Sequence, residues 1–228
     1  MRRLDPEHVR RFQQRLIRWY GRHGRDLPWR RTRDPSRILV SEIMLQQTQV
    51  ERVIDYYDRF VRRYPTIETL AAAPAFEVRE AWDGLGYYAR ARNLHRTARH
   101  VTAQHGGQLP ADADRIRRLP GIGRYTAGAV LSFAYGQDTA ILDTNAARVL
   151  TRVFGIRARG SKSRLHSRLW KIAEAVTPSG RADRFNSAIM DLGATICRAR
   201  TPECRRCPLK SICKSVDIAP RAPAARRR

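Results

Sequence analysis

The stretch Leu119-Pro120-Gly121-Ile122-Gly123-Arg124-Tyr125-Thr126-Ala127-Gly128-Ala129-Val130 leaves a chain few ways to fold. A proline and two glycines in four residues make a tight turn, and the small apolar residues behind them continue as a helix. Glycine at positions 121 and 123 can take positive φ and puts no side chain between backbone and ligand. N–H groups at the start of the following helix are then free to face an anion, which the helix dipole favours. A turn that merely redirects the chain would use the same glycines, so the motif needs support from elsewhere.

Charge supplies some. Lys and Arg number 45 against 21 Asp and Glu, a formal net charge of +24. Arg221, Arg226, Arg227 and Arg228 account for only four of these, so the excess is spread over the folded part. Such a field draws polyanions, and the anion to expect at the turn is a nucleic-acid phosphate. A general bias toward arginine would give the same total. With 228 residues the chain can form one large domain or two small ones. No run approaches the roughly 20 apolar residues of a membrane span. The first seven residues lack the apolar core of a secretion signal. The expected location is the cytoplasm, with the nucleoid as its site of action.

Helical spacing recurs throughout, and no segment alternates as a strand would, which makes the chain all-α. Helices are expected over residues 7–20, 38–50, 53–64, 67–73, 76–82, 94–105, 115–119, 165–176 and 185–196, besides the one after the glycine turn. The helix at 38–50 contains Glu42 among Ile38, Leu39, Val40, Ile43, Met44 and Leu45. A carboxyl in such surroundings is a candidate for a raised pKa and for general acid chemistry. A solvent-facing glutamate on an amphipathic helix is the plainer alternative. Gln46-Gln47-Thr48-Gln49 follows directly, offering uncharged donors and acceptors suited to base edges or to a gap in a stack. A second glycine turn, Gly84-Leu85-Gly86-Tyr87-Tyr88, precedes Arg90 and Arg92. Its tyrosines could stack on bases while the arginines hold phosphates, or could be half-buried core residues. Residues 140–145 open another helix with Asp143 or Asn145 near its start, where an N-cap is a sufficient reason for Asp143. A basic loop spans 157–164, and the tail from 220 onward is basic and of low complexity, with disorder expected.

Cys197, Cys204, Cys207 and Cys213 are all the cysteines present, spaced C-x6-C-x2-C-x5-C. Their clustering argues for a local metal site in a reducing compartment and against a disulfide framework. Zinc sites usually draw on two C-x2-C pairs, and only one occurs here. Four thiolates with less regular loops suit an iron–sulfur cluster better. Arg205, Arg206, Lys210 and Lys214 would offset the negative charge of such a cluster and could face phosphates.

Taken together, these motifs resemble the helix-hairpin-helix (HhH-GPD) DNA glycosylases of the endonuclease III/MutY branch. The turn at 119–124 with Asp143 matches the hairpin and catalytic aspartate, and the cysteine spacing looks like the branch's 4Fe-4S loop. Ser41 to Val50, Gly84 to Leu94, Arg184-Phe185-Asn186 and Met190 to Ala194 look most like the adenine glycosylases (MutY). The resemblance runs from about Arg11 to Cys213. It implies that a target base is flipped from the duplex and its N-glycosidic bond hydrolysed. Glu42 would protonate the adenine ring, and Asp143 would stabilise the oxocarbenium-like sugar or bond to it transiently. This divides labour between two carboxylates as in glycoside hydrolysis. Tyr125 and Asn145 would support this pair. Gln46, Gln47, Tyr87, Gly121, Gly123 and Arg124 would contact DNA, with Gln47 and Tyr87 entering the base stack. Bifunctional relatives carry lysine where this chain has Tyr125, and a phenol cannot form their Schiff base. A monofunctional enzyme follows, with strand cleavage weak or absent.

The resemblance further implies a monomer acting on mismatched double-stranded DNA, without a membrane partner. Two helical domains are expected, with the active site in the groove between them. One is a bundle over residues 26–136 carrying the hairpin, and the other an iron–sulfur domain of residues 1–25 plus 137–213. Residues 214–228 form the basic tail. Two departures from the adenine pattern stand out. The sequence stops 15 residues past Cys213, where MutY enzymes usually continue into a domain that reads 8-oxoguanine, and Thr144 replaces the usual glycine. Both departures resemble glycosylases that remove thymine or uracil from G:T or G:U pairs, whereas the glutamine run favours adenine. A non-catalytic iron–sulfur DNA-binding protein is the alternative from another class, but it would need neither Glu42 nor Asp143.

Overall fold

The computed structural model describes residues 4–157 and 160–216. The tail expected from residue 220 lies outside them, as do residues 158–159 of the basic loop. Among the described residues the chain is helical with no strand. In chain order the helices are α1 (Pro6–His23), α2 (Pro35–Met44), α3 (Val50–Arg63), α4 (Ile67–Ala72), α5 (Ala75–Ala81), α6 (Ala89–His105), α7 (Ala113–Arg117), α8 (Arg124–Phe133), α9 (Thr144–Val153), α10 (Lys162–Val176) and α11 (Ala182–Thr195). Short 3₁₀ turns occupy Pro28–Arg30, Cys204–Arg206 and Lys210–Ile212.

Helix starts follow local chemistry. Asp5, Asp34, Asp112, Asp143 and Ser161 each accept a backbone N–H with their side chains at an N-cap. Pro6 and Pro35 sit in first turns, where a missing N–H costs nothing. Gly106, at φ 57° and ψ 34°, ends α6 in the left-handed conformation that glycine tolerates.

The chain divides into two compact units, residues 26–139 and residues 1–25 with 140–228. In the first, α6 packs against α2, α4 and α5, while α2 also meets α3 and α8. Trp82 is fully buried and edge-on to Phe60, with ring centres 5.8 Å apart. In the second, α11 packs against α1 and α9. Phe12 of α1 stands edge-on to both Phe154 and Phe185. Just past α1, Arg25 meets Asp191 of α11. Its backbone N–H donates to Oδ2 at 2.9 Å and its Nε to Oδ1 at 2.7 Å. Asp191 is completely buried, and this pairing compensates for removing its charge from water.

One helix is shorter than its periodicity predicts. The pattern over 38–50 reads as continuous, yet α2 stops at Met44 and α3 starts at Val50. In a continued helix the carbonyls of Ile43 and Met44 would receive N–H groups four residues on. Instead both accept hydrogen bonds from Arg90 Nη1, at 3.2 and 2.8 Å. Gln46-Gln47-Thr48-Gln49 therefore forms a turn and a helix entry, with Gln47 left-handed at φ 57°.

Candidate active site

In the contiguous unit, the candidate residues lie on α2, α8 and the turns next to them. Every residue of α2 from Ile38 to Met44 is buried, and Glu42 is 3% exposed. The solvent-facing alternative for Glu42 is thereby excluded. Ile38, Leu39, Val40, Ile43 and Met44 flank it, and the helix carries no outward face over this stretch because neighbours cover it. Gln46, just past the helix, donates from Nε2 to the hydroxyl of buried Thr126 on α8 at 3.4 Å.

The glycine turn ahead of α8 assigns different tasks to its two glycines. Gly121 has φ 75°, and an added Cβ would stand 2.8 Å from Asn93 Cβ. It is needed for backbone conformation and for packing. Gly123 has φ −88° and ψ 179°, ordinary extended geometry, and serves as N-cap of α8. The expectation of positive φ there is incorrect. A Cβ at Gly123 would meet nothing within 4 Å, so this glycine keeps open space in front of the first N–H groups of α8. Arg124 is exposed and Tyr125 half-buried at the start of that helix. Thr97 on α6 holds the turn from behind, donating to the Pro120 carbonyl at 2.9 Å.

The two tyrosines of the second turn are not core residues, since Tyr87 is 62% and Tyr88 37% exposed. Tyr88 donates to the Asp83 carboxylate, which holds its phenol pKa up, and Arg79 lies over its ring. Tyr87 has φ 49° and projects outward. Arg90, grouped above with arginines that could hold phosphates, is 8% exposed and bonded to protein oxygens instead. Burial lowers its pKa from the usual arginine value. Its neighbour Arg92 is exposed. Nothing in the local sequence distinguishes the two; only their half-turn difference around α6 does.

In the other unit Asp143 is the N-cap of α9. Its Oδ1 accepts the Ala146 N–H at 2.6 Å, and its Oδ2 accepts Asn145 Nδ2 at 2.8 Å. The capping role that the sequence offers for Asp143 is real, and Asn145 touches the carboxylate directly. From Asn145 a chain of contacts runs to the cysteines. Arg148 Nη2 donates to Asn145 Oδ1 and to the Gly193 carbonyl, both at 2.7 Å, and its Nε donates to the Cys197 carbonyl at 2.7 Å. Gly193 is a packing position that helical spacing does not reveal. A Cβ there would lie 2.5 Å from Asn145 Cβ and 3.0 Å from its Cα, neither of which can rotate away. Gly193→Ala is expected to push α9 off α11 and cost about 1–3 kcal/mol in denaturant unfolding. An unchanged midpoint would show that this contact is slack.

Cys197, Cys204, Cys207 and Cys213 line one cavity of about 120 Å³, with Val149, Val153, Leu192 and Leu209 on its walls. Among the described residues, no three metal-binding side chains converge as ligands of one ion. Arg152 Nη1 lies 3.3 Å from Cys197 Sγ and also donates to the Arg198 carbonyl at 2.8 Å. Burial, with the neighbouring cysteines adding to it, pushes the Cys207 thiol up to about 11, and burial raises Cys213 as well. Without a metal both are protonated at neutral pH, so ligation would release protons.

The family model described as HhH-GPD superfamily base excision DNA repair protein matches residues 40–175. The chain belongs to this superfamily. The matched stretch of this HhH-GPD protein contains Glu42, the glycine turn and Asp143, and ends before the cysteines. Over 220 residues the chain is 44% identical to the adenine DNA glycosylase of Homo sapiens, covering 92% of itself but 40% of that relative. A thymine-DNA glycosylase of Aeropyrum pernix is 39% identical and is matched over 92% of this chain and 96% of its own length. The solved structure of a thermostable thymine-DNA glycosylase superposes with a TM-score of 0.85 at 34% identity, covering 92% of this chain and 97% of that one. The match thus spans nearly all of these two thymine enzymes and less than half of the human adenine enzyme.

Proposed function

We propose that this HhH-GPD protein is a monofunctional DNA glycosylase that hydrolyses the N-glycosidic bond of a base flipped out of a mismatched duplex, adenine opposite guanine or 8-oxoguanine. The observation that carries the adenine reading is the burial of Glu42. A purine leaves readily once its ring nitrogen is protonated, and a carboxyl almost shut off from water suits the donor's role. Asp143 supports the sugar side of the reaction. Its two oxygens are fixed by Ala146 and Asn145, ready to face a developing positive charge. Water then completes hydrolysis, and Tyr125 supplies no amine for a Schiff base.

DNA is held in this reading by the N–H groups that follow Gly121 and Gly123, with Arg124 beside them and the net charge of +24 drawing the duplex in. The chain acts as a monomer. A specific observation favours a second reading: thymine or uracil removed from G:T or G:U pairs, as the near full-length match to a thymine-DNA glycosylase suggests.

The four cysteines fit a 4Fe-4S cluster, which needs one thiolate on each of four irons spread around a shared cavity. A single zinc would need its thiolates gathered about 2.3 Å from one point. In this role Cys197, Cys204, Cys207 and Cys213 hold the cluster, while Arg152 balances its charge beside Cys197. The purified protein should then be brown, with broad absorbance in the visible blue; a colourless protein with one zinc per chain would refute the cluster.

Duplexes bearing A:8-oxoG, A:G, G:T or G:U, incubated with the protein and then treated with alkali, test the activity. Strand breaks are expected from the adenine-containing duplexes, and only after alkali. Product from G:T and G:U alone would replace the first reading by the second. No product from any duplex would overturn both.

A further inference from the structure

We propose that Arg90 is a positioning residue that sets the turns at Gln47 and Tyr87 as one two-pronged wedge, acting on extrusion of the base and not on bond cleavage. Among the described residues, Gln47 and Tyr87 are the only non-glycine positions with positive φ, at 57° and 49°. Such a backbone costs about 1–2 kcal/mol per residue unless its surroundings enforce it. Both are enforced by the same guanidinium. Nη1 donates to the Gln46 carbonyl and, at 3.0 Å, to the Thr48 hydroxyl, which bracket Gln47. Nη2 donates to the carbonyls of Leu85 and Gly86, both at 3.1 Å, immediately ahead of Tyr87. The Tyr87 ring lies over the guanidinium at 5.4 Å, with Trp82 at 5.5 Å.

Every oxygen in this set belongs to a neutral group, so the cation is matched by backbone and hydroxyl dipoles, including the negative end of α2. An ion pair would serve stability as well; what this arrangement adds is joint control of two segments forty residues apart in sequence. Both prongs are exposed at their tips, and no packing demand on the protein explains strained backbone beneath exposed side chains. A partner that receives them does, and a stack of bases accepts both an aromatic ring and an amide. Lysine could not substitute, because one ammonium cannot fork toward both turns.

This inference rests on the glycosylase reading. Its test is single-turnover excision by wild type, Arg90→Lys, Arg90→Gln and Tyr87→Ala from two duplexes. One carries the target base in its mismatch, and the other carries the same base opposite an abasic site, already unpaired. All three variants should lose on the order of tenfold to a hundredfold on the mismatch and less than about threefold on the unpaired base. Fluorescence of 2-aminopurine beside the target should show the extrusion step slowed to match. Tyr87 is exposed, so its variant keeps the experiment decisive if Arg90 substitutions prevent folding. Equal losses on both duplexes, or none on either, would overturn the wedge. Wild type inactive on both would instead remove the glycosylase reading itself.

Discussion

Asp143→Asn should lower excision by about a thousandfold while the protein stays folded and keeps most of its affinity for DNA. The electrostatic part of that loss follows from charge, since an amide cannot stabilise a cationic sugar as a carboxylate does, nor bond to it. The structural part is small because of where Asp143 sits. Asparagine caps helices about as well as aspartate, so its oxygen can keep the Ala146 N–H. It cannot also accept from Asn145, so one hydrogen bond near the surface is lost, worth about 1 kcal/mol. Single-turnover excision, thermal unfolding and DNA titration on one preparation separate these effects. Turnover at the wild-type rate would remove Asp143 from the chemistry and leave it only as a cap.

Glu42→Gln carries the second large effect and separates the two substrates. The amide has the shape of the acid, so α2 should keep its packing among Ile38, Leu39, Ile43 and Met44. What is lost is a transferable proton, worth about 10²–10⁴-fold where general acid catalysis operates. Adenine has a ring nitrogen to receive that proton, and thymine has no equivalent. The variant should therefore lose most of its adenine excision, and any residual action on G:T or G:U should change by less than about tenfold. A uniform loss on both would mean that Glu42 shapes the pocket without donating a proton.

The amphipathic spacing, the capping aspartates and the lack of alternation make the all-α fold legible in the sequence, because each is a local property. Helix ends were less legible where a distant group decides them. Nothing in Ile43-Met44-Leu45-Gln46 announces that Arg90, more than forty residues on, takes the carbonyls that would have continued α2. Arg90 and Arg92 read alike in sequence, yet one is buried and one exposed. Gly121 and Gly123 also read alike; a left-handed turn against Asn93 requires one, and open space lies before the other. Among the site candidates, Gln46 and Thr126 are joined by a hydrogen bond that no spacing rule anticipates, eighty residues apart. The contact of Asn145 with Asp143 was the more accessible, since two residues at a helix start are neighbours by construction.

The Arg25–Asp191 pairing has a consequence for how the protein is made. Residues 26–139 form a continuous unit whose helices all find their partners within about 114 residues of one another, so it can be complete while synthesis proceeds. α1 precedes that unit in the chain but packs on α11. Its apolar side, with Phe12 and Leu16, is not fully covered until residues 182–195 have left the ribosome. Closing so long a loop adds little to the equilibrium but slows assembly. The first helix synthesised is then among the last to dock.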